Sequence, residues 1–79
     1  MTVTADEVRH RIADILGMAH DKVRPDTVLV DLVHESFRLV EMIIELQEDY
    51  DVLIGQADVR DLRTAGELAE LVRSRAGRP

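Results

Sequence analysis

The sequence predicts a small all-α domain, a bundle of four helices with a long first loop and a short third helix. Two capping boxes mark helix starts, at residues 4–7 ("TADE") and 64–67 ("TAGE"). Apolar residues recur with the helical period in two longer segments. Only "VLVDLV" at 28–33 resembles a strand, and a lone strand has no pairing partner. No sheet is therefore expected.

The first predicted helix covers residues 5–16 and is followed by a long loop. Its apolar face consists of Val8, Ile12, Ile15 and Leu16, whose spacing is helical. Gly17 is a natural stop. From there to Glu35 no helical period is sustained, so we expect a loop. Four of its apolar side chains should tuck partly into the core: Val28, Leu29, Leu32 and Val33.

The second predicted helix, residues 36–50, has one apolar and one acidic face. A helical projection places Leu39, Val40, Ile43, Leu46 and Tyr50 inward and Arg38, Glu41, Glu45 and Glu48 outward. Phe37 and Ile44 lie on one border between the faces, and Met42 lies on the other. Apolar residues beside an acidic stripe are typical of a partner-binding surface, and they are equally typical of the edge of a core.

The last third of the chain predicts a short helix within 57–62 and a final helix over 65–75. Gly55 interrupts the preceding pattern. Leu68, Leu71 and Val72 should face inward, while Arg73 and Arg75 suit the negative end of the helix dipole.

Composition and charge exclude several classes of function. The 79 residues suffice for one domain, residues 1–79, and include no cysteine. No apolar run approaches a membrane span, and no signal peptide is visible. We therefore expect a cytoplasmic protein without a membrane partner. The net charge is −6, and residues 34–62 contain eight acids against two bases. Such a field repels nucleic acid and attracts basic protein surfaces.

A catalytic interpretation has little support. The histidines at 10, 20 and 34 show no metal-ligand spacing, so no metal site is predicted. His34 precedes Ser36 by two residues, which leaves a small hydrolase as one alternative. However, no acid is placed to orient the imidazole, and no oxyanion hole is indicated.

Ser36, at the start of the acidic helix, has two interpretations. Serine is among the commonest helix caps, and a cap alone would explain it, with a cost of about 1 kcal/mol for Ser36→Ala. Alternatively, an exposed serine at a helix N-terminus suits a phosphodiester, because the first-turn amides and the helix dipole favour an anion. The serine has no base of its own, so another enzyme would have to modify it.

Residues 35–41, "ESFRLVE", resemble the D-S-L-x-x-V-E motif of acyl carrier proteins. The resemblance extends over nearly the whole chain, from the first helix and long loop to the last helix, where "TAGELAELV" is similar to the family's T-x-x-x-L pattern. It implies an acyl-carrier type of bundle that is monomeric when free and is not an enzyme. By the same resemblance, Ser36 would carry 4′-phosphopantetheine, transferred from coenzyme A by a phosphopantetheinyl transferase. The arm's thiol would hold acyl groups as thioesters.

The resemblance also implies a surface for a ketosynthase and other acyl-processing enzymes. The matching and neighbouring positions are Glu35, Phe37, Val40, Glu41, Ile44, Glu45, Glu48, Asp58 and Asp61. Three departures stand out: Glu35 replaces the family's aspartate, Phe37 replaces its leucine, and "DLVH" replaces an L-G-x run. They favour a type II polyketide or related specialised pathway, such as antibiotic biosynthesis. The alternatives are a fatty-acid synthase carrier and an unmodified helical adaptor that docks through Phe37, Ile44 and the acids.

Overall fold

The computed structural model describes residues 2–76, and the helices that it contains there confirm the all-α prediction. Their bounds are Ala5–Leu16 (α1), Leu29–Leu32 (α2), Ser36–Tyr50 (α3), Gln56–Arg60 (α4) and Ala65–Ala76 (α5), with a 3₁₀ turn at His20–Lys22. Helix α1 packs against both α3 and α5. Within residues 2–76, no helix combines the length and the apolar composition that a bilayer crossing requires.

Helix α1 has the predicted bounds. The hydroxyl of Thr4 accepts a hydrogen bond from the amide of Glu7 at 3.1 Å. The reciprocal bond of a full capping box does not form between these two residues. At the other end Gly17 adopts φ 71°, a left-handed conformation that suits glycine, and caps the helix through its own amide.

The loop over 17–35 contains more structure than the sequence predicted. It includes the 3₁₀ turn and the one-turn helix α2, and Val28 forms an isolated antiparallel bridge with Thr64. The amide of Leu29 donates to the carbonyl of Arg63 at 2.9 Å. Leu29 and Val33 are buried as expected, whereas Val28 is 41% exposed. The expectation that Val28 tucks into the core is therefore wrong, because its backbone is paired at the surface.

The same loop is tied to the start of α5. The amide of Ala65 donates to the carbonyl of Thr27 at 2.8 Å, and that of Gly66 donates to the carbonyl of Pro25 at 2.9 Å. A Cβ on Gly66 would lie 2.5 Å from the Pro25 oxygen, too close for any side chain. Gly66 therefore permits the close approach between the loop and α5.

The core side of α3 differs from the prediction at two positions. Ile43 and Leu46 are buried as expected. Met42, placed on a border, is 1% exposed, and Val40, placed inward, is 52% exposed. A helical projection gives the spacing of side chains around the axis but not the direction of the neighbouring helices. Contact with α1 and α5 turns the buried face toward Met42 and away from Val40.

Helices α4 and α5 are held by carboxylates at their starts. The second predicted capping box is complete, because the Glu67 amide donates to Thr64 Oγ1 at 3.2 Å and the Thr64 amide donates to Glu67 Oε1 at 2.9 Å. The Gly55 amide donates to Asp58 Oδ2 at 2.9 Å. The short helix predicted within 57–62 begins and ends slightly earlier, at Gln56–Arg60.

Candidate functional site

Ser36 is exposed and is the first residue of α3. The N-cap is Glu35, whose backbone is extended (φ −102°, ψ 126°) and whose side chain makes no capping hydrogen bond. The interpretation of Ser36 as the helix cap is therefore wrong. Its hydroxyl is free of the structural bond that most serines at helix starts make.

The start of α3 retains unused hydrogen-bond donors. The amides of Arg38 and Leu39 both donate to the Glu35 carbonyl, at 3.1 and 3.2 Å. The amides of Ser36 and Phe37 lie too close to the helix start to have an intrahelical acceptor, as the first amides of any helix do. Unlike α1, α4 and α5, this helix has no side-chain cap. Free amides at the positive end of a 15-residue helix favour a phosphodiester attached to Ser36.

The rest of α3 presents the predicted acidic and apolar surface. Glu35, Glu41, Glu45 and Glu48 are exposed. Phe37, Val40 and Ile44 are 60%, 52% and 47% exposed, so these apolar side chains lie in solvent beside the acids. Exposed apolar groups flanked by charge are the makeup of a protein-binding surface.

A groove of about 470 Å³ separates this surface from the end of α1. Ile15, Leu16 and Met42 contribute its apolar lining, and Arg38, Glu41 and Glu45 contribute its charged lining. Ile15 and Leu16 were predicted only as core residues, and their part in this groove was missed. Their neighbours in the fold, rather than any local pattern, bring them beside the acids of α3.

The two acids assigned to the surface beyond α3 differ in availability. Asp61 is exposed at the end of α4. Both carboxylate oxygens of Asp58 accept from Arg75, at 2.7 and 2.9 Å, and one also accepts from Gly55. Arg75, and then the Gly55 amide, lower the pKa of Asp58. A role of Asp58 in partner binding stays a prediction, since it would compete with these bonds.

The described residues assemble no catalytic or metal-binding group. His34 is exposed and makes no hydrogen bond with Ser36 within residues 2–76. No cluster of three or more potential metal ligands occurs in that part of the chain. Within the described residues, no base contacts the serine at the α3 start, and the Ser-His hydrolase alternative lacks its central contact there.

This arrangement defines a class of protein: a small helical bundle that presents a free serine at the head of an acidic helix. The family described as "Phosphopantetheine attachment site" matches residues 6–72. A protein called "Acyl carrier protein" from Chlamydia felis (strain Fe/C-56) is 33% identical over 73 residues, which cover 91% of this chain and 94% of that protein. A protein of the same name from Chlamydia trachomatis serovar D is 32% identical over 71 residues, covering 89% and 92%.

The chain therefore belongs to the acyl carrier protein family. It is a carrier and not a catalyst, and its prosthetic group is phosphopantetheine. Carriers of this family work with a phosphopantetheinyl transferase and with acyl-processing enzymes. The resemblance read from "ESFRLVE" is confirmed at this level.

Proposed function

We propose that Ser36 is the attachment residue for 4′-phosphopantetheine and that the chain carries acyl intermediates of a type II polyketide or related specialised pathway. The observation that carries the first part is the exposed, non-capping hydroxyl at the start of a long helix, inside the matched range 6–72. Within the described part of the chain, the remaining serine, Ser74, lies on α5 and donates its hydroxyl to the Leu71 carbonyl at 3.0 Å.

The chemistry at Ser36 is a transfer of a phosphopantetheinyl group. The serine oxygen loses its proton to a base on the transferase and bonds to the phosphorus of coenzyme A that bears pantetheine. The bond from that phosphorus to the oxygen of the adenosine 3′,5′-bisphosphate breaks at the same centre. This chain would supply the nucleophilic oxygen, and the amides of Ser36 and Phe37 at the positive end of the helix would stabilise the charge of the phosphodiester.

We place the partner enzymes, including the transferase and a ketosynthase, on the α3 surface. Glu41, Glu45 and Glu48 supply a field that guides basic surfaces, and Phe37, Val40 and Ile44 supply area to bury. Glu35 precedes Ser36 at the start of this surface, and the exposed Asp61 at the end of α4 would add a further acid. We also propose that the carrier is a cytoplasmic protein, because its coenzyme A donor is available there.

The assignment to a polyketide or related pathway rests on the departures around Ser36. Glu35 keeps the family's negative charge, but the ring of Phe37 is 60% exposed where the family has a leucine. Residues 31–34, "DLVH", replace the L-G-x run; the first two are the last residues of α2, and the other two connect α2 to Glu35. Enzymes that read the usual motif would meet a larger side chain here. The fatty-acid synthase carrier remains the second candidate, because the relatives named only "Acyl carrier protein" align over 91% of this chain.

Intact mass after incubation with coenzyme A and a broad-specificity phosphopantetheinyl transferase tests the attachment site. We expect one added phosphopantetheine on the wild type and on Ser74→Ala, and none on Ser36→Ala. Addition to Ser36→Ala would refute the site. Absence of addition to the wild type would favour the adaptor alternative.

Elongation of the loaded carrier tests the pathway. We expect a type II polyketide ketosynthase to use the wild type better than a fatty-acid ketosynthase does. Phe37→Leu, which restores the family's residue, should shift this preference toward the fatty-acid enzyme. Preference of the wild type for the fatty-acid enzyme would support the second candidate instead.

A further inference from the structure

A cavity of about 370 Å³ lies between α2, α3 and α4. Leu29, Leu39, Ile43 and Val59 give it apolar walls, and the exposed residues Arg60 and Arg63 also line it. Arg60 further lines a neighbouring cavity of about 380 Å³, which shares Ile43 and Val59. Arg60 therefore stands between two apolar cavities. Apolar pockets with a few convergent polar groups are the usual form of a small-molecule site.

The α3 residues that line this cavity lie on the same face of the helix as Ser36. At 100° per residue, Leu39 and Ile43 lie within about 60° and about 20° of the Ser36 direction. They lie about 4.5 Å and about 10.5 Å further along the helix axis, at 1.5 Å per residue. A chain tethered at Ser36 and following the helix would thus meet Leu39 first and Ile43 next.

Two arginines without a carboxylate partner line this one cavity. Arg9, Arg11, Arg73 and Arg75 each form an ion pair with a carboxylate. Within residues 2–76, the side chains of Arg60 and Arg63 make no hydrogen bond and no ion pair. The pKa of Glu67 is lowered first by the backbone amides of Arg63 and Thr64, and the charge of Arg63 adds only the last contribution. Within the same residues Arg38, in the groove at the end of α1, also has no ion pair, but it is the single cation there, whereas two such cations line the cavity between α3 and α4. Their donors are available to a ligand.

We propose that Arg60 and Arg63 select acyl groups that bear oxygen beyond the thioester, as a keto group or a carboxylate, over plain hydrocarbon chains. The inference rests on the attachment of the arm at Ser36. Guanidinium groups only donate hydrogen bonds, and they match keto and carboxylate oxygens. A hydrocarbon chain in the cavity would contact the apolar walls but leave both arginines in water. An oxygenated chain adds hydrogen bonds to the same apolar contact, as a polyketide intermediate would.

The test compares three acyl groups of six carbons. Hexanoyl, 3-oxohexanoyl and adipoyl groups are loaded from their coenzyme A thioesters, and intact mass verifies the loading. Thioester cleavage by hydroxylamine is then timed, and each rate is divided by that of the same acyl group on free pantetheine. The division removes the intrinsic reactivity of each thioester. Amide chemical shifts of Leu39, Ile43 and Val59 report entry into the cavity.

In the wild type we expect at least one oxygenated chain to be cleaved about threefold more slowly than hexanoyl, because each exposed hydrogen bond contributes modestly. Arg60→Ala/Arg63→Ala should remove this difference and leave the hexanoyl rate unchanged. Arg60→Lys/Arg63→Lys should retain part of it. The matched control Arg24→Ala/Arg73→Ala, with the same loss of charge away from the cavity, should behave as the wild type. Circular dichroism verifies folding of each variant.

Four results separate the possibilities. Equal protection of all three chains in the wild type, or unchanged protection in the double alanine variant, overturns the inference. The amide chemical shifts are also compared between the wild type and the double alanine variant when both carry phosphopantetheine without an acyl group. If the substitutions change these shifts as much as they do in the acylated proteins, the inference is overturned, because the arginines would then hold the arm's phosphate. Failure of loading at Ser36, seen by mass, is instead a failure of the proposed function.

Discussion

Helices α3 and α5 both begin beside a hydroxyl side chain, and the two hydroxyls are used differently. Thr64 accepts from the Glu67 amide at 3.2 Å, while Glu67 accepts from the amides of Thr64 and Arg63 at 2.9 and 2.8 Å. These backbone donors lower the pKa of Glu67. Ser36 stands one residue inside its helix, after an N-cap whose side chain makes no capping bond. The Thr64 hydroxyl caps its helix, whereas the Ser36 hydroxyl makes no capping bond.

The start of α5 is bonded to another part of the fold, whereas the start of α3 is exposed. The start of α5 is fixed to the first loop by the bonds of Ala65 and Gly66 and by the Val28–Thr64 bridge. The start of α3 lies in solvent, with Glu35, Ser36 and Phe37 all exposed. Natural proteins often lack a local stabilising interaction at a position where the side chain that would make it is needed for function. The α3 start fits that pattern, since a conventional cap would occupy the hydroxyl.

The largest stability effect is expected at the α5 start. In Gly66→Ala the new Cβ would lie 2.5 Å from the Pro25 oxygen, so backbone must move. We expect a loss of about 1–3 kcal/mol in the free energy of unfolding, typical of overpacking. Urea denaturation measures it. Gly55→Ala is the matched control, because its Cβ would meet Asp58 at an ordinary 3.6 Å, and it should cost less than about 1 kcal/mol. An equal loss in both variants would contradict the close approach.

The next effect is expected on function at α3 and not on folding. Glu41→Lys/Glu45→Lys should slow modification by the transferase about tenfold at low salt, because the reversed charges repel a basic partner surface. The difference should shrink as salt is added. Asp21→Lys/Asp26→Lys changes the net charge equally on the first loop and should modify at the wild-type rate. Equal slowing in both variants would show that only total charge matters.

The bounds of the longer helices could be predicted from sequence because their signals are local. Residues 5–16 and 36–50 carry an apolar period, and Gly17 supplies a stop, so α1 and α3 begin and end where expected. Helix α2 could not be found in this way. Its single turn is coupled to the carbonyl of Arg63 by the amide of Leu29, a contact 34 residues away in sequence. Such contacts exist only once the chain is folded.

The candidate site was predictable in its residues but not in its detailed geometry. The motif pointed to Ser36 and to the acids of α3, which lie together at the surface. It could not tell whether Ser36 is the N-cap or the first helical residue, because the two differ only in the backbone conformation of Ser36, which is non-helical in an N-cap and helical in the first residue. The unpaired arginines 60 and 63 were also missed. Charge counts give the number of cations, whereas the pairing of each cation depends on the packing of α4 and α5.

The smallest and most direct difference concerns the two hydroxyls themselves. Thr64→Ala removes a cap and should lower the free energy of unfolding by about 1 kcal/mol. Ser36→Ala removes no capping bond, so its effect should stay within about 0.5 kcal/mol, as at other exposed positions. Modification should show the reverse order, with Thr64→Ala modified and Ser36→Ala not modified. Urea denaturation and intact mass measure the two properties on the same preparations. A loss near 1 kcal/mol for Ser36→Ala would mean that its hydroxyl caps α3 in solution.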